Sequence, residues 1–255
     1  MSGYLSEPPI GFAHRGYAPD GAENTMGAFQ NAIDLGFSYI ETDVRTSSDG
    51  VLMIFHDETL DRVTDATGPI SERSASELSN AVVHPNSRIP TLEEALTRWP
   101  GIKWNVDLKD EASVPAFAEL VTRLGCEDRV LAATFSEARH RTFLRLMTDA
   151  RRRVATSASM LTLALMVVLG PVGLTRAIAR WSRVDCLQVP VRAYGVLIVR
   201  RAFIARAHRA GLQVHVWTIN DEAAMRELFA MGVDGIMTDR ADILARVLGL
   251  TPRAL

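Results

Sequence analysis

The chain has 255 residues, a formal charge of −2 and an isoelectric point near 6.3. This length can bury one sizeable core, and the near-neutral charge gives no reason to expect a nucleic-acid-binding surface. Cys126 and Cys186 form neither a C-x-x-C motif nor a dense framework, so we expect reduced thiols. The first residues lack a basic region followed by a continuous apolar run, so no secretory signal is expected and the predicted location is the cytoplasm.

Strand and helix patterns alternate along the chain. Strands are predicted at 10–13, 39–44, 51–55, 103–109, 130–135, 153–157, 186–189, 213–219 and 235–238. Helices are predicted from Met26 to the stop at Gly36, from Thr91 with a capping-box-like start, and over 113–124, 138–147, 196–210 and 222–231. The alternation predicts an α/β fold, a single TIM-type (β/α)8 barrel domain over residues 1–255.

The link between the strands at 39–44 and 51–55 is too short for a crossover helix. If Asp49-Gly50 is a hairpin turn, Asp43 and His56 lie opposite each other on paired strands. If the second run is parallel instead, a barrel helix is missing here. Both arrangements bring the two side chains near one site, so the sequence leaves the choice open.

Two further stretches depart from simple alternation. Residues 58–90 are polar and turn-rich, and they predict a small insertion over the barrel mouth. Residues 154–175 carry no charge, but polar residues and the break at 170–173 argue against a membrane span. Two alternatives remain for this second stretch: a buried helix, or an apolar lip at the barrel mouth for a lipid substrate.

Ionisable residues collect along and at the ends of the predicted strands in the first half of the chain. They are His14, Arg15, Glu41, Asp43, His56, Asp107 and Lys109. Residues two apart in a strand share a face, so Glu41 lies beside Asp43 and Asp107 beside Lys109. Packing alone does not explain such groups at successive strand ends, and we interpret them as a catalytic constellation.

The carboxylates of this constellation predict a cation site. Glu41, Asp43 and Asp107 supply hard oxygen ligands of the kind that suit Mg²⁺ or Ca²⁺. Without a metal the three would repel one another and an anionic substrate. One divalent cation, Mg²⁺ or Ca²⁺, is therefore predicted.

The remaining members suit a phosphodiester. Arg15 offers a planar fork that matches phosphate oxygens, and Lys109 is a candidate for a second positive contact. His14 and His56 can serve as acid and base near neutral pH, in either assignment.

The segments AHRG, AENT, ETDV and FHD, with the later NVDLK and VWTIN, resemble the glycerophosphodiester phosphodiesterase family of phospholipase-C-like barrels. The resemblance extends from about residue 10 to residue 240, and the order and spacing of the segments carry it. It implies metal-dependent hydrolysis of a glycerophosphodiester to glycerol 3-phosphate and an alcohol.

The same resemblance implies a role for each matching residue. His14 and His56 match the family's acid/base pair, and Arg15 matches its phosphate ligand. The remaining matches are a lysine, Lys109, and the metal ligands Glu41 and Asp43. The third family ligand is usually the glutamate of an E-x-K motif, and Asp107 of D-x-K occupies that place here.

Structural roles remain as alternatives for some residues. Arg15 could simply pair with Glu23, and Asp107 with Lys109 could form an ion pair without a substrate role. Trp217 is a core residue by default, or it lines the glycerol pocket at the end of a barrel strand.

Other titratable residues have no catalytic context in the sequence. We expect Asp234 and Asp239 to organise the turn that follows the last strand rather than to react. The remaining histidines are expected to be structural.

Rival functions also stay open. A lysophospholipase-D-like enzyme would keep the same centre and admit an acyl chain, and the apolar stretch at 154–175 is the feature that favours it. A non-catalytic barrel that binds phosphoesters would need Arg15 but no pair of histidines. The expected partner is a small phosphodiester rather than nucleic acid, and peripheral membrane contact is left open.

Overall fold

The computed structural model describes residues 3–148 and 153–252 and contains thirteen strands and ten α-helices in those ranges. The strands are β1 Ile10–His14, β2 Tyr39–Thr46, β3 Leu52–Ile54, β4 Val82–Val83, β5 Ser87–Arg88, β6 Lys103–Leu108, β7 Val130–Ala133, β8 Ala155–Thr156, β9 Cys186–Val189, β10 Arg192–Ala193, β11 Val196–Leu197, β12 Gln213–Val216 and β13 Gly235–Thr238. The helices are α1 Met26–Asp34, α2 Ala75–Asn80, α3 Leu92–Arg98, α4 Ser113–Leu124, α5 Glu137–Leu146, α6 Met160–Leu169, α7 Thr175–Ser182, α8 Arg201–Arg209, α9 Glu222–Met231 and α10 Ala241–Leu248.

Eight parallel strands form the barrel in the order β8-β7-β6-β2-β1-β13-β12-β9. A parallel bridge from Ser157 to Cys186 joins the two ends of this order. Helices follow most of the strands, so the predicted TIM-type (β/α)8 fold is confirmed. Apolar side chains that include Phe12, Leu131 and Met237 fill the interior of the barrel.

Strand register positions the ionisable residues. His14 of β1 pairs with Glu41 of β2, and Asp43 of β2 pairs with Asp107 of β6. These residues lie near the carboxyl ends of parallel strands, where TIM-barrel active sites are built.

The strand after β2 turns back as a hairpin, which decides between the two predicted arrangements. β3 runs antiparallel to β2, and Val44 pairs with Ile54. The Phe55 N–H donates to the Asp43 carbonyl at 3.0 Å, a distance typical of a bond between paired strands. Phe55, rather than the predicted His56, therefore lies opposite Asp43, because the turn shifts the register by one residue.

The polar stretch at 58–90 forms a compact excursion after β3. It contains a 3₁₀ turn at Ile70–Glu72, helix α2 and the small hairpin of β4 and β5. Its apolar side chains, including Leu60, Leu78 and Val83, pack with Met53 in a cluster of their own. Capping boxes begin both α2 and the next helix, α3, and the second of these was predicted from the sequence.

The structure corrects several predicted boundaries. Residues 196–200 are not helical as predicted, because β10 and β11 form a hairpin and α8 begins only at Arg201. The turn of this hairpin uses Tyr194 and Gly195, both with positive φ (48° and 79°). The predicted strands at 130–135, 153–157 and 213–219 are shorter in the structure, and helices α7 and α10 were not predicted.

The uncharged stretch at 154–175 contains β8, α6 and a 3₁₀ turn at Gly170–Val172 rather than one long helix. Gly170 and Pro171 end α6 there. Across the described part of the chain, no helix has both the length and the apolarity needed to cross a bilayer.

Candidate active site

A cavity of about 180 Å³ opens at the carboxyl ends of the barrel strands. Eight of the residues singled out in the sequence line it: His14, Arg15, Glu41, Asp43, His56, Asp107, Lys109 and Trp217. They come from strands β1, β2 and β6 and from the segments that follow β1, β3, β6 and β12. The barrel thus brings together residues that are separated by as many as two hundred positions along the chain.

The turn after β1 fixes the direction of Arg15. Arg15 has a left-handed backbone (φ 56°), which is uncommon for a residue with a side chain. Gly16 follows with φ 83°, and a Cβ there would lie 2.6 Å from the Ala28 carbonyl carbon. The Arg15 N–H donates to the Glu41 carbonyl, and the Arg15 carbonyl accepts from the N–H of Asn24, each at 2.9 Å. Glycine at position 16 is therefore required by the shape of this turn.

Asp43 is the most heavily paired group in the cavity. Its carboxylate contacts Arg15 Nε at 3.1 Å and Lys109 Nζ at 2.9 Å, and it accepts a bond from Asn24 Nδ2 at 2.9 Å. Burial alone would raise the pKa of Asp43, but the charges of Lys109 and Arg15 outweigh burial and lower it. Asp43 is therefore held as a carboxylate.

Lys109 bridges two carboxylates. Its Nζ lies 2.7 Å from Asp107 Oδ2 as well as 2.9 Å from Asp43 Oδ1. The predicted ion pair of Asp107 with Lys109 is thus present, and it extends to a third residue. Burial raises the pKa of Asp107 despite the opposing charge of Lys109.

Glu41 lacks such compensation. Its nearest cationic group is His14, with 3.7 Å between Glu41 Oε2 and His14 Nε2. Burial, followed by the negative charge of Asp43, raises the pKa of Glu41 to about 7. Glu41 is therefore a buried carboxyl group whose burial outweighs the influence of the surrounding cationic groups.

Each histidine of the cavity is held by a carboxylate through Nδ1. His14 Nδ1 lies 2.6 Å from Asp239 Oδ1, and His56 Nδ1 lies 2.6 Å from Asp57 Oδ1. Burial lowers the pKa of His14, but the Glu41 charge and the hydrogen bond to Asp239 outweigh burial and raise it. These contacts engage Nδ1 of both rings, and Nε2 of each ring takes no part in them.

A chain of ion pairs connects His56 to Arg15. Asp57 pairs with Arg62, and Arg62 Nη2 lies 2.6 Å from Glu23 Oε1. Glu23 Oε1 also lies 2.9 Å from Arg15 Nη1. The alternative that Arg15 pairs with Glu23 is thus correct as a contact, and it coexists with the contact to Asp43.

Comparison with known proteins agrees with this geometry. The sequence pattern of the Glycerophosphoryl diester phosphodiesterase family matches residues 14–243. The chain belongs to this family. It is 41% identical over 242 residues to the probable glycerophosphodiester phosphodiesterase 2 of Mycobacterium tuberculosis, covering 94% of this chain and 90% of that protein.

A solved structure and a human relative are also similar to this chain. The crystal structure of a glycerophosphodiester phosphodiesterase from Agrobacterium tumefaciens matches with a TM-score of 0.79 and 26% identity, over 95% of this chain and 100% of that one. A human lysophospholipase D is 24% identical over 263 residues, 89% of this chain and 82% of that protein. The predicted family and enzyme class, glycerophosphodiester phosphodiesterase, are thereby confirmed.

The structure of this family member also shows site residues that the sequence did not reveal. Asp239 was expected only to organise a turn, yet it binds His14 from 225 positions away. Asn105 and Gln188, which are 1% and 8% exposed, line the cavity, and Asn105 Oδ1 and Gln188 Nε2 have no hydrogen-bond partner. An inward position on a barrel strand was the only sequence signal for these two residues.

The donor groups fit the divalent cation that the family resemblance implies. Glu41 and Asp43 are buried oxygen donors, and the unpartnered Oδ1 of Asn105 adds a third. Lys109, however, bridges Asp43 and Asp107, and among residues 3–148 and 153–252 no three His, Cys, Asp or Glu side chains are arranged as a metal site.

A second depression, which we call the apolar groove, adjoins the cavity. It has a volume of about 420 Å³ and is lined by Met160, Leu163, Ala164, Val167, Val168, Val189, Pro190, Ala193, Tyr194, Val196, Ile198 and Trp217. No charged residue lines it, and Trp217 belongs to both depressions. Trp217 therefore lies at the boundary between the charged cavity and an apolar surface, rather than in the closed core.

Proposed function

We propose that this protein hydrolyses glycerophosphodiesters to glycerol 3-phosphate and an alcohol in a metal-dependent reaction. The observation that carries the proposal is the convergence of two carboxylate-bound histidines on one cavity that also contains Arg15, Lys109 and the acidic residues. Membership of the family supports the same reaction. The cytoplasmic location and the single domain over residues 1–255 stay predictions.

Proton transfer falls to His14 and His56 in this proposal. One Nε2 accepts a proton from the attacking water, and the other donates a proton to the oxygen of the leaving alcohol. Asp239 and Asp57 orient the rings and stabilise the charged form of each imidazole.

Charge neutralisation falls to Arg15, Lys109 and a cation. Arg15 and Lys109 would contact the phosphoryl oxygens, which requires each to share its present carboxylate partners with the substrate. Glu41, Asp43 and Asp107 would hold Mg²⁺ or Ca²⁺, with the shorter Asp107 in place of the usual glutamate. A bound cation would polarise the phosphoryl group and stabilise the charge that develops on it.

A lysophospholipid is a second candidate substrate, and the apolar groove favours it. The groove begins at Trp217, beside the cavity, where the glycerol of such a substrate would lie. A single acyl chain fits an apolar depression of this size. The similarity to a human lysophospholipase D supports the same choice.

The test is turnover of glycerophosphocholine and lysophosphatidylcholine by the purified chain with EDTA, Mg²⁺ or Ca²⁺. We expect metal-dependent release of choline, which is the alcohol product of both substrates. The turnover rate should fall about 10²–10⁴-fold in His14→Asn and in His56→Asn. His84→Asn is the matched control, because His84 is exposed and does not line the cavity. Binding without turnover under every metal would instead favour the non-catalytic barrel.

A further inference from the structure

Exposed large apolar side chains concentrate in one short stretch of the chain. Eight of the ten within the described residues fall between positions 160 and 196. Two of these eight, Val168 of α6 (70% exposed) and Tyr194 at the tip of the β10–β11 hairpin (95% exposed), line the apolar groove together. Exposed apolar side chains that cluster at one place mark an interaction surface.

The same part of the chain is strongly basic. Residues 153–212 contain nine arginines and a single acidic residue, Asp185, which gives a formal charge of +8, whereas the rest of the chain carries −10. Asp185 is buried and pairs with Arg153 at 2.9 Å, so it does not offset the surface arginines. The chain as a whole, at −2, conceals this separation of charge.

Two of these arginines flank residues that line the apolar groove. Arg192 is next to Ala193 in β10, and Arg200 follows Ile198 by two positions. Both are exposed, and within the described residues they enter no ion pair or side-chain hydrogen bond. Unpaired arginines beside apolar side chains are the composition of a surface that binds anionic lipid.

The position of this surface relates it to the active site. Helix α6 follows β8 and the β10–β11 hairpin follows β9, so both leave the carboxyl ends of barrel strands, where the cavity opens. The apolar groove between them shares Trp217 with the cavity. A partner bound here would therefore lie beside the cavity mouth.

We propose that the docking face, defined by the exposed groove residues Val168, Tyr194 and Val196 with the adjacent Arg192 and Arg200, binds the protein to an anionic lipid surface. The exposed apolar side chains enter the boundary between headgroups and acyl chains, and the arginines contact the lipid phosphates. A second copy is a poorer occupant, since symmetric pairing would bring two strongly positive faces together. Nucleic acid would leave the apolar side chains without a partner.

The experiment is co-sedimentation of the full chain with vesicles of phosphatidylcholine alone, or with about 30% phosphatidylglycerol. We expect binding to the anionic vesicles only, and a large loss of binding when salt rises from about 0.1 M to about 0.5 M. Arg192→Glu and Arg200→Glu should each weaken the partition coefficient at least about fivefold. Tyr194→Ser and Val168→Ser should weaken binding at both salt concentrations, because they remove apolar contact.

Matched controls separate the docking face from general surface effects. Arg98→Glu changes an exposed, unpaired arginine on α3, and Leu146→Ser changes an exposed apolar residue on α5, so both should bind vesicles like the wild type. Turnover of glycerophosphocholine without vesicles should be unchanged in Arg192→Glu and Arg200→Glu. If the wild type does not hydrolyse glycerophosphocholine, the proposed reaction is contradicted, and the docking proposal is then judged by co-sedimentation alone.

Three results would overturn the docking proposal. They are equal binding to neutral and anionic vesicles, wild-type binding by the Arg192 and Tyr194 variants, and no vesicle binding at all. Self-association that the same variants abolish, seen by sedimentation velocity without vesicle binding, would also overturn it and would assign the face to a second copy.

Discussion

The two sides of the barrel mouth are built on opposite principles. On the side of β1, β2 and β6, ionisable side chains are buried and bound to one another, with Asp43 at the centre. On the side of β8 and β9, the apolar side chains Val168, Tyr194 and Val196 are exposed, and Arg192 and Arg200 form no ion pair within the described residues. The difference indicates that the protein holds its buried ionisable groups in fixed positions, whereas the neighbouring surface is open to something that binds from outside.

Energetics follow the same division. Groups on the charged side depend on one another, because removal of one partner leaves another buried charge unpaired. Residues on the apolar side contribute little to folding while they stay in water, and they gain free energy only when a partner covers them. Substitutions should therefore affect stability on the first side and binding on the second.

Asp43→Ala should have the largest effect on stability. It leaves Arg15 and Lys109 with fewer partners inside a buried site and removes the acceptor of Asn24, so we expect a loss of about 3–5 kcal/mol in the free energy of unfolding. Urea denaturation measures this. Glu93→Ala, which breaks the exposed pair with Arg123, should cost less than about 1 kcal/mol. Equal losses would show that the charged side is not a coupled network.

Gly16→Ala tests the turn that aims Arg15. The new Cβ would lie 2.6 Å from the Ala28 carbonyl carbon at a positive φ, so we expect a loss of about 2–4 kcal/mol and a weaker phosphate contact. Gly21→Ala is the control, because its φ of 88° is similar but no atom lies within 4 Å. It should cost about 1 kcal/mol, so a similar loss in the two variants would contradict the argument from close packing.

Glu41→Gln tests how the ionisation of one buried carboxyl group on the charged side affects stability. The pKa of Glu41 in the folded protein, about 7, is above its ordinary value of 4.5. Ionisation of Glu41 therefore lowers the free energy of unfolding as pH rises from 4.5 to about 7, and it has little effect below 4.5. In EDTA at pH 8, Glu41→Gln should therefore be more stable than the wild type by about 1–3 kcal/mol, with little difference at pH 4. Added Mg²⁺ or Ca²⁺ should raise the melting temperature of the wild type but not of the variant, which scanning calorimetry can follow.

Trp217→Phe should have the smallest effect, since Trp217 lies where the two sides meet. We expect no measurable change in stability and a rise of only a few-fold in KM for glycerophosphocholine, about 1 kcal/mol or less. The rise should be larger for lysophosphatidylcholine if the acyl chain occupies the apolar groove. A collapse of kcat for both substrates would show that Trp217 acts on the chemistry instead.

The sequence was sufficient for the parts of this molecule that depend on strand patterns and local motifs. Alternating strands and helices predicted the barrel, and residues at strand ends predicted every side chain of the constellation that lines the cavity. The pairing of His14 with Asp239 was not predictable, because it requires the first and last strands to meet across the closed barrel. The hairpin register was wrong by one residue, since a turn of several residues does not fix which side chains face each other.

Surface properties were the least accessible to sequence reasoning. The uncharged stretch at 154–175 was equally compatible with a buried helix and an apolar lip. The structure shows elements of both, because Leu163 and Met166 of α6 are buried while Val168 is exposed. Which apolar side chains stay in water depends on how the helix lies against its neighbours, and the composition of the stretch does not record that.

The barrel closes through its shortest strand, so the pairing of strands is weakest at this point. β8 has two residues and meets β9 through the Ser157–Cys186 bridge, whereas β2 and β6 share six registered pairs. The Asp185 carboxylate, which accepts from the Thr156 N–H at 3.0 Å, replaces part of the missing ladder. Local opening of the barrel should therefore begin between β8 and β9, and amide protons there should exchange with deuterium sooner than those between β2 and β6. Because α6 and the β10–β11 hairpin extend from these same two strands, this opening would alter the width of the apolar groove and leave the charged side unchanged.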